Sequence, residues 1–245
     1  MPVAIEVQAV NKQFVLRHTR SLKETVVWLL KGRKGDISKK FHALRDVDLE
    51  VQQGESVALL GLNGSGKSTL LKHISGVMLP DSGTVRTRGK VAGLIEVGAG
   101  FHHDLSGRDN VYLNGAILGM TEAQINDQFD SIVEFAEIGE FIDTEVRFYS
   151  SGMYLRLAFS VAVHTDPEVF LVDEILAVGD EPFQRKCLDK IRELSAAGKT
   201  LVVVSHDLEL VSRICDRGVV LQHGIVVFDG PVQDAVARLR ADSSH

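Results

Sequence analysis

Cysteine is almost missing from this chain: Cys187 and Cys215 are the only two, with no CxxC spacing and no metal-ligand pattern around them. That excludes a disulfide scaffold or a zinc ribbon and leaves two idle thiols suited to a reducing compartment. No apolar run approaches the roughly 20 residues needed to cross a bilayer. The opening MPVAIEVQAV has neither the basic start nor the apolar stretch of a secretory leader. The expected setting is the cytoplasm, with any membrane role supplied through a partner. Positive charge is not in excess either: 27 Lys and Arg stand against 33 Asp and Glu, a formal net charge of −6. A dedicated nucleic-acid binder would usually present a basic face, so no nucleic-acid partner is expected. What remains is an ordinary globular composition, 44% hydrophobic and 24% charged over 245 residues. That suffices for one well-buried domain, or for a core with an inserted subdomain.

Hydrophobic periodicity orders the chain. AIEVQAV near the start and ALRDVDLEV at 43–51 alternate as strands, and SVALLGL at 56–62 is the continuous apolar run of a buried strand. Leu70, Leu71 and Ile74 recur at helical spacing and predict a helix from Lys67 to about Ser75. A turn at Pro80 to Gly83 opens TVRTRG and KVAGLIE, read as a strand pair. From about 97 to 165 the pattern is helical, with Thr121 and Gln124 forming a capping box ahead of Ile125, Phe129, Ile132, Val133 and Ala136. EVFLVDE (168–174) and TLVVVSH (200–206) are two more buried strands, and GVVLQHGIVVFDG is a closing hairpin before a short helix. The expected fold is an α/β domain spanning 1–245, with N-terminal antiparallel strands and an inserted α-helical subdomain.

Residues 17–40 do not fit a compact core. Ser21 and Glu24 make a capping box, Leu22, Val26, Leu29 and Leu30 line one face, and Trp28 sits near its edge. Lys31, Arg33 and Lys34 place positive charge at the helix end. Such a helix suits a membrane interface or a membrane partner, and equally a solvated helix packed on the core.

GLNGSGKST, Gly61 to Thr69, fits G-x-x-x-x-G-K-[ST] in full, between a buried strand and a helix. Glycines there let backbone N–H groups point at phosphate oxygens, and the helix N-terminus adds positive potential. The binding candidates are Gly61, Asn63, Gly64, Ser65, Gly66, Lys67, Ser68 and Thr69. Lys67 would reach the β- and γ-phosphates, and Ser68 would ligate Mg²⁺. FLVDE delivers Asp173 and Glu174 to a strand end. Asp173 can hold Mg²⁺, and Glu174 can polarise the attacking water as a general base. His206, closing TLVVVSH, is a candidate γ-phosphate contact. In RFYSSGMYLRLAF, a serine cap starts an apolar helix.

The order GLNGSGKST, YSSGM, FLVDE, AVGD and VVVSHD resembles the nucleotide-binding domain of ABC transporters. YSSGM stands where that family has LSGGQ: Ser150 and Gly152 match, while Ser151 and Met153 depart. The resemblance implies an ATPase working with ATP and Mg²⁺ as a head-to-tail homodimer. Each signature turn, here Ser150, Ser151 and Gly152, would close on ATP held by the other subunit. It also implies a D-loop at Asp180, a Glu96 where the family's Q-loop glutamine stands, and an adenine-stacking aromatic at Phe14, with Phe41 second.

The block from LIEVGAGFHHDLSGRDN to DEPFQRKC looks like the ATPase subunits of polysaccharide exporters of the O-antigen, teichoic-acid and galactan classes. That branch implies a polytopic membrane permease as partner, a lipid-linked glycan handled indirectly, and a peripheral place on the cytoplasmic face of the inner membrane. His102, His103 and Asp104 would then belong to the loop facing the membrane subunit. About 15 residues follow the Gly230-Pro231 turn, so no appended carbohydrate-binding sandwich is expected. The competing readings are a soluble ABC protein outside transport, an exporter of another substrate, a P-loop kinase or GTPase, and a regulatory nucleotide sensor. The first usually pairs two such domains or inserts a long coiled coil. A kinase has no use for a signature turn, a GTPase would show NKxD, and a sensor would lack Glu174.

Overall fold

The computed structural model describes residues 2–17, 38–93, 100–173 and 180–242. Strands β1 (Val3–Arg17) and β2 (Ser38–Gln52) form a long antiparallel hairpin whose register runs from Val3 opposite Gln52 to Arg17 opposite Ser38. Of the insertion expected over 17–40, Arg17 ends β1 and Ser38 to Lys40 open β2, so these positions belong to the hairpin; 18–37, with the helix expected there, lie outside the described residues. β3 (Ser56–Leu60) is wholly buried and leads through the glycine-rich loop into α1 (Lys67–Ile74). β4 (Ser82–Thr87) adds to the free side of β1, giving a three-stranded sheet in the order β2-β1-β4.

TVRTRG and KVAGLIE are not partners. The polar, largely exposed β4 satisfies its backbone on β1, whereas β5 (Val91–Gly93) pairs in parallel with β6 (Val169–Val172) in the other sheet. Gly89, at φ +81, turns the chain between them. Glu168 then seats β5: its carboxylate accepts Lys90 N at 2.6 Å, while Glu168 N and Val169 N both donate to Lys90 O at 3.1 Å. Non-local bonds of this kind outweigh the proximity that favours a hairpin.

The second sheet has six strands in the order β5-β6-β7-β3-β8-β9, with β7 (Thr200–Val203), β8 (Arg217–Gln222) and β9 (Ile225–Pro231). All neighbours are parallel except β8 and β9, which form the closing hairpin. β3, β6 and β7 are buried along their whole length, as a parallel sheet covered on both faces requires. Because these strands run the same way, the loops after each leave from one edge.

The segment between β5 and β6 is helical: α2 (Gly107–Ile117), α3 (Glu122–Ala136), two 3₁₀ turns (Gly139–Phe141, Val146–Phe148) and α4 (Ser151–Val163). The Thr121 and Gln124 capping box forms, with Gln124 N donating to Thr121 Oγ1 at 3.3 Å and Thr121 N donating to Gln124 Oε1 at 2.9 Å. α5 (Glu181–Ala196), α6 (Leu208–Ile214) and α7 (Val232–Asp242) complete the described chain. α4 belongs to two cores at once. Leu157, Ala158 and Val161 pack among the helices, while Phe159, Ala162 and Val163 pack against the large sheet. Phe159 meets Phe135 of α3 and Phe183 of α5 at centroid distances of 6.0 Å each, joining the three helices in an aromatic triangle.

Both cysteines are buried, and burial pushes their thiols up to about 12, which keeps them protonated and inert at neutral pH. Among the described residues, no helix is long and apolar enough to cross a membrane.

Candidate nucleotide-binding site

In the glycine-rich loop the chain passes close to neighbouring backbone. A Cβ on Gly61 would lie 2.3 Å from Leu221 O, and one on Gly66 would lie 2.6 Å from Ala43 O, both at positive φ. Gly64 differs: its φ is +79, yet a Cβ there would meet nothing within 4 Å. Its freedom serves the turn and leaves the crown of the loop open. Ser65 O accepts Gly224 N at 2.9 Å, tying the loop to the β8–β9 turn.

α1 opens behind this loop with Gly66 as a cap that offers no side chain, and with no acidic residue in its first turn. Its first N–H groups therefore carry undiminished positive potential. Lys67 is buried and folds back, Nζ donating to Gly61 O at 2.7 Å and Leu62 O at 3.2 Å. Among the described residues, the buried Ser65 hydroxyl has no hydrogen-bond partner. A bare helix end, an ammonium resting on loop carbonyls and an orphaned hydroxyl together suit an incoming polyanion. The cleft over the loop, about 180 Å³, is lined by Asn63 to Thr69 with Phe41 and Ala43.

Phe41, rather than Phe14, is the aromatic on that cleft. The two face each other across β1 and β2, so their side chains leave one face of the hairpin. Phe41 is 45% exposed beside the loop, whereas Phe14 sits half-buried with Lys12 Nζ 5.9 Å from its ring. The register puts both rings on one face, and the lining of the cleft tells them apart.

Asp173 follows β6, His206 follows β7 and the phosphate loop follows β3, so three adjacent strands deliver them to one edge. A second cavity, about 530 Å³, lies between Gly61, Leu62 and Asn63 on one side and Ser205, His206, Leu208 and Leu239 on the other. It brings His206 to the phosphate loop. Asp207 caps α6, its carboxylate accepting Glu209 N and Leu210 N at 3.0 Å each, which fixes the loop that carries His206. Glu96 and Glu174 lie outside the described residues.

Ser150 caps α4, its Oγ accepting Met153 N at 3.2 Å. Ser150 and Ser151 are exposed, and a Cβ on Gly152 would meet only Ser150 Oγ at 3.8 Å. Among the described residues, nothing else lies within 4 Å of that position, so the glycine face is uncrowded. Met153 turns inward instead and packs on the helical core. Tyr149 anchors the turn from the other side. Its hydroxyl donates to Phe141 O at 2.7 Å, and burial pushes it up to about 12, so it stays a donor. The phenol fits because position 107 is glycine: a Cβ there would lie 2.1 Å from Tyr149 Oη. Asp180, the D-loop candidate, caps α5 by accepting Phe183 N at 3.3 Å. Tyr149, Gly107 and Phe41 are the contributors that motif reading undervalues, because each acts through a long-range contact.

Gly107→Ala is therefore expected to displace Tyr149 and the signature cap, lowering stability by about 1–3 kcal/mol through overpacking. Adding Tyr149→Leu removes the phenol and should recover most of that loss, as urea denaturation of the single and double variants would show.

Residues 44–177 match the family model described as ABC transporter. ABC transporter protein AbcA of Aeromonas salmonicida is 46% identical over 92% of this chain and 72% of its own length. An O-antigen export system ATP-binding protein, RfbB of Myxococcus xanthus, is 46% identical over 91% of this chain, which spans only 51% of that relative. The teichoic acids export ATP-binding protein TagH of Listeria monocytogenes serotype 4b is 40% identical over 96% of this chain and 69% of its own. Among solved structures, an ATP-binding subunit of an ABC transporter superposes over 99% of this chain and all of its own, with a TM-score of 0.78 at 22% identity. A dimeric ATP-binding cassette in a post-hydrolysis state with ADP and Pi gives a TM-score of 0.73 at 22% identity, covering 93% of this chain and 98% of that one. A phosphate loop, a capped signature turn and strand-end acid and histidine on one sheet edge, matched by close relatives over nearly the whole chain, have one explanation: the chain belongs to the ABC transporter family and carries its ATP-binding, ATP-hydrolysing domain.

Proposed function

We propose that this chain powers the export of a lipid-linked polysaccharide, of the O-antigen, galactan or teichoic-acid class, by hydrolysing ATP at the cytoplasmic face of the inner membrane. The observation that carries the reading is the 40–46% identity, across more than nine tenths of the chain, to proteins named for O-antigen and teichoic-acid export. The curated relatives extend beyond the matched length to differing degrees, so substrate and partners rest on that likeness. A polytopic permease would be the membrane partner, a second copy of this chain the ATPase partner, and the glycan would be handled indirectly.

The chemistry follows from the site. The phosphates displace Lys67 from the carbonyls of Gly61 and Leu62, and its ammonium takes the β- and γ-phosphates instead. The N–H groups of Gly64 to Thr69 and the end of α1 hold the remaining phosphate charge. Phe41 stacks on the adenine. Mg²⁺ fits the donor set: Ser68 and Asp173 offer hard oxygen ligands, and among the described residues no group of three His, Cys, Asp or Glu gathers that would compete. When bound, the ion would neutralise charge between the β- and γ-phosphates. Glu174 orients and deprotonates the attacking water, and His206 holds the γ-phosphate. The exposed Ser150, Ser151 and Gly152 close on the partner's nucleotide, bringing the N-terminus of α4 to its γ-phosphate. Asp180 links the two sites, Glu96 senses them towards the permease, and the helix expected within 17–40 meets the permease or lipid.

Glu174→Gln is expected to slow hydrolysis by about 10²-fold or more while ATP-bound dimers accumulate in size exclusion. Full turnover in that variant would remove Glu174 from the mechanism. Phe41→Ala should raise KM for ATP about 5–10-fold with kcat little changed, by loss of an aromatic contact of ~1 kcal/mol, and Phe14→Ala should do much less. A larger effect at Phe14 would reverse the assignment. Replacing Leu22, Val26 and Trp28 together with polar residues should abolish surface glycan in cells yet leave ATP binding intact; normal export would discard the insertion's role.

A further inference from the structure

Three helices from separate parts of the chain meet at an ionic cluster that nucleotide binding leaves unexplained. α3 ends at Glu137, which adopts φ +56, a left-handed conformation that favours glycine because it lacks a Cβ. Glutamate occupies it, and each of its carboxylate oxygens is engaged. Arg156 Nη1 donates to Oε2 and Lys186 Nζ donates to Oε1, both at 3.1 Å.

Arg156 stands on α4, the helix that Ser150 caps, and its Nη2 donates to Asp180 Oδ1 at 2.7 Å. That oxygen is the same one that caps α5. Lys186, on α5, also donates to Phe135 O at 3.0 Å and Glu134 O at 3.4 Å, satisfying carbonyls at the end of α3. Both cations lie over the aromatic triangle, Arg156 5.0 Å from the Phe183 ring and Lys186 4.8 Å from that of Phe135.

Stability is a poor reason for this arrangement. The Glu137 and Asp180 side chains are 52% and 58% exposed, and exposed ion pairs contribute little. Geometry is a better one. A planar guanidinium bonded to two carboxylates fixes their relative position as well as their distance. One of those carboxylates ends α3 and the other begins α5 in the D-loop, while the guanidinium itself rides on the signature helix. We propose that Glu137, Arg156, Asp180 and Lys186 form a latch that sets the signature turn and the D-loop at a fixed angle to each other. Glu137 and Lys186 are then positioning residues for the ATP held by the partner. The latch rests on the reading that the signature turn and D-loop of one copy act on the nucleotide of the other.

The test uses the full chain, with steady-state ATPase activity, thermal midpoint, and ATP-dependent dimerisation in the Glu174→Gln background. Glycine suits the left-handed end of α3, so Glu137→Gly should hold or raise the midpoint. The same variant should lower kcat about tenfold, with KM for ATP changed by less than about twofold. Arg156→Met, which keeps an apolar stem over Phe183, should lose as much. Adding Glu137→Gly to Arg156→Met should then cost less than about twofold more, since the latch is already open. Wild-type kcat in Glu137→Gly, a loss that follows the midpoint, or losses that multiply in the double variant would each overturn the latch. Failure of the Glu174→Gln chain itself to dimerise with ATP would overturn the composite-site reading and the latch with it, so the two failures are told apart.

Discussion

Close backbone packing on both flanks of the phosphate loop is the constraint on which the rest of the site depends. Gly61 lies against the Leu221 carbonyl, Gly66 against that of Ala43, and Ser65 O holds the amide of Gly224. The amide of Arg45 closes the ring by donating to Gly224 O at 2.8 Å. β2 and the β8–β9 turn thus grip a loop whose own sequence is too rich in glycine to hold a shape. A loop shaped in advance avoids reorganisation when phosphate arrives, which is where electrostatic stabilisation gains its strength. Lys67 fits the same logic, because its ammonium is already held at the loop by the carbonyls of Gly61 and Leu62, which the proposed phosphates would replace.

From that loop outward the geometry is set by strand direction. β3, β7 and β6 are parallel neighbours, so Lys67, His206 and Asp173 reach one edge without any special loop design. Ser150 and Ser151 are exposed, and among the described residues only Ser150 Oγ lies within 4 Å of where a Cβ on Gly152 would stand. Under the proposed function, the N-terminus of α4 meets an anion in the nucleotide held by a second copy.

Much of this was legible in the residues because the signals were local. The glycine spacing, the apolar runs of β3, β6 and β7, and the Thr121 box each depend on a few consecutive positions. What escaped depended on distance. β4 and β5 read as a hairpin because only Glu168, far along the chain, shows that β5 belongs to another sheet. Phe14 and Phe41 could be separated only by knowing that they face each other and which of them the loop lies beside. The Tyr149 anchor needed Gly107, and a glycine at a helix start is commonplace unless the phenol above it is seen. Glu96, Glu174 and the 18–37 segment lie outside the described residues, so for them motif and periodicity remain the whole argument.

The two-core membership of α4 constrains how the signature turn can move. Leu157, Ala158 and Val161 bind it to the helical unit, and Phe159, Ala162 and Val163 bind it to the sheet. Packed interiors resist gradual deformation, so a shift of the turn has to carry the helix as a body. The aromatic triangle allows such movement, since stacked and edge-on rings keep contact over a range of angles. The Glu137 and Arg156 bonds do not, because a guanidinium loses its hydrogen bonds within small rotations. Apolar contact thus holds α3, α4 and α5 together, and the charged rim above it selects the angle at which they meet.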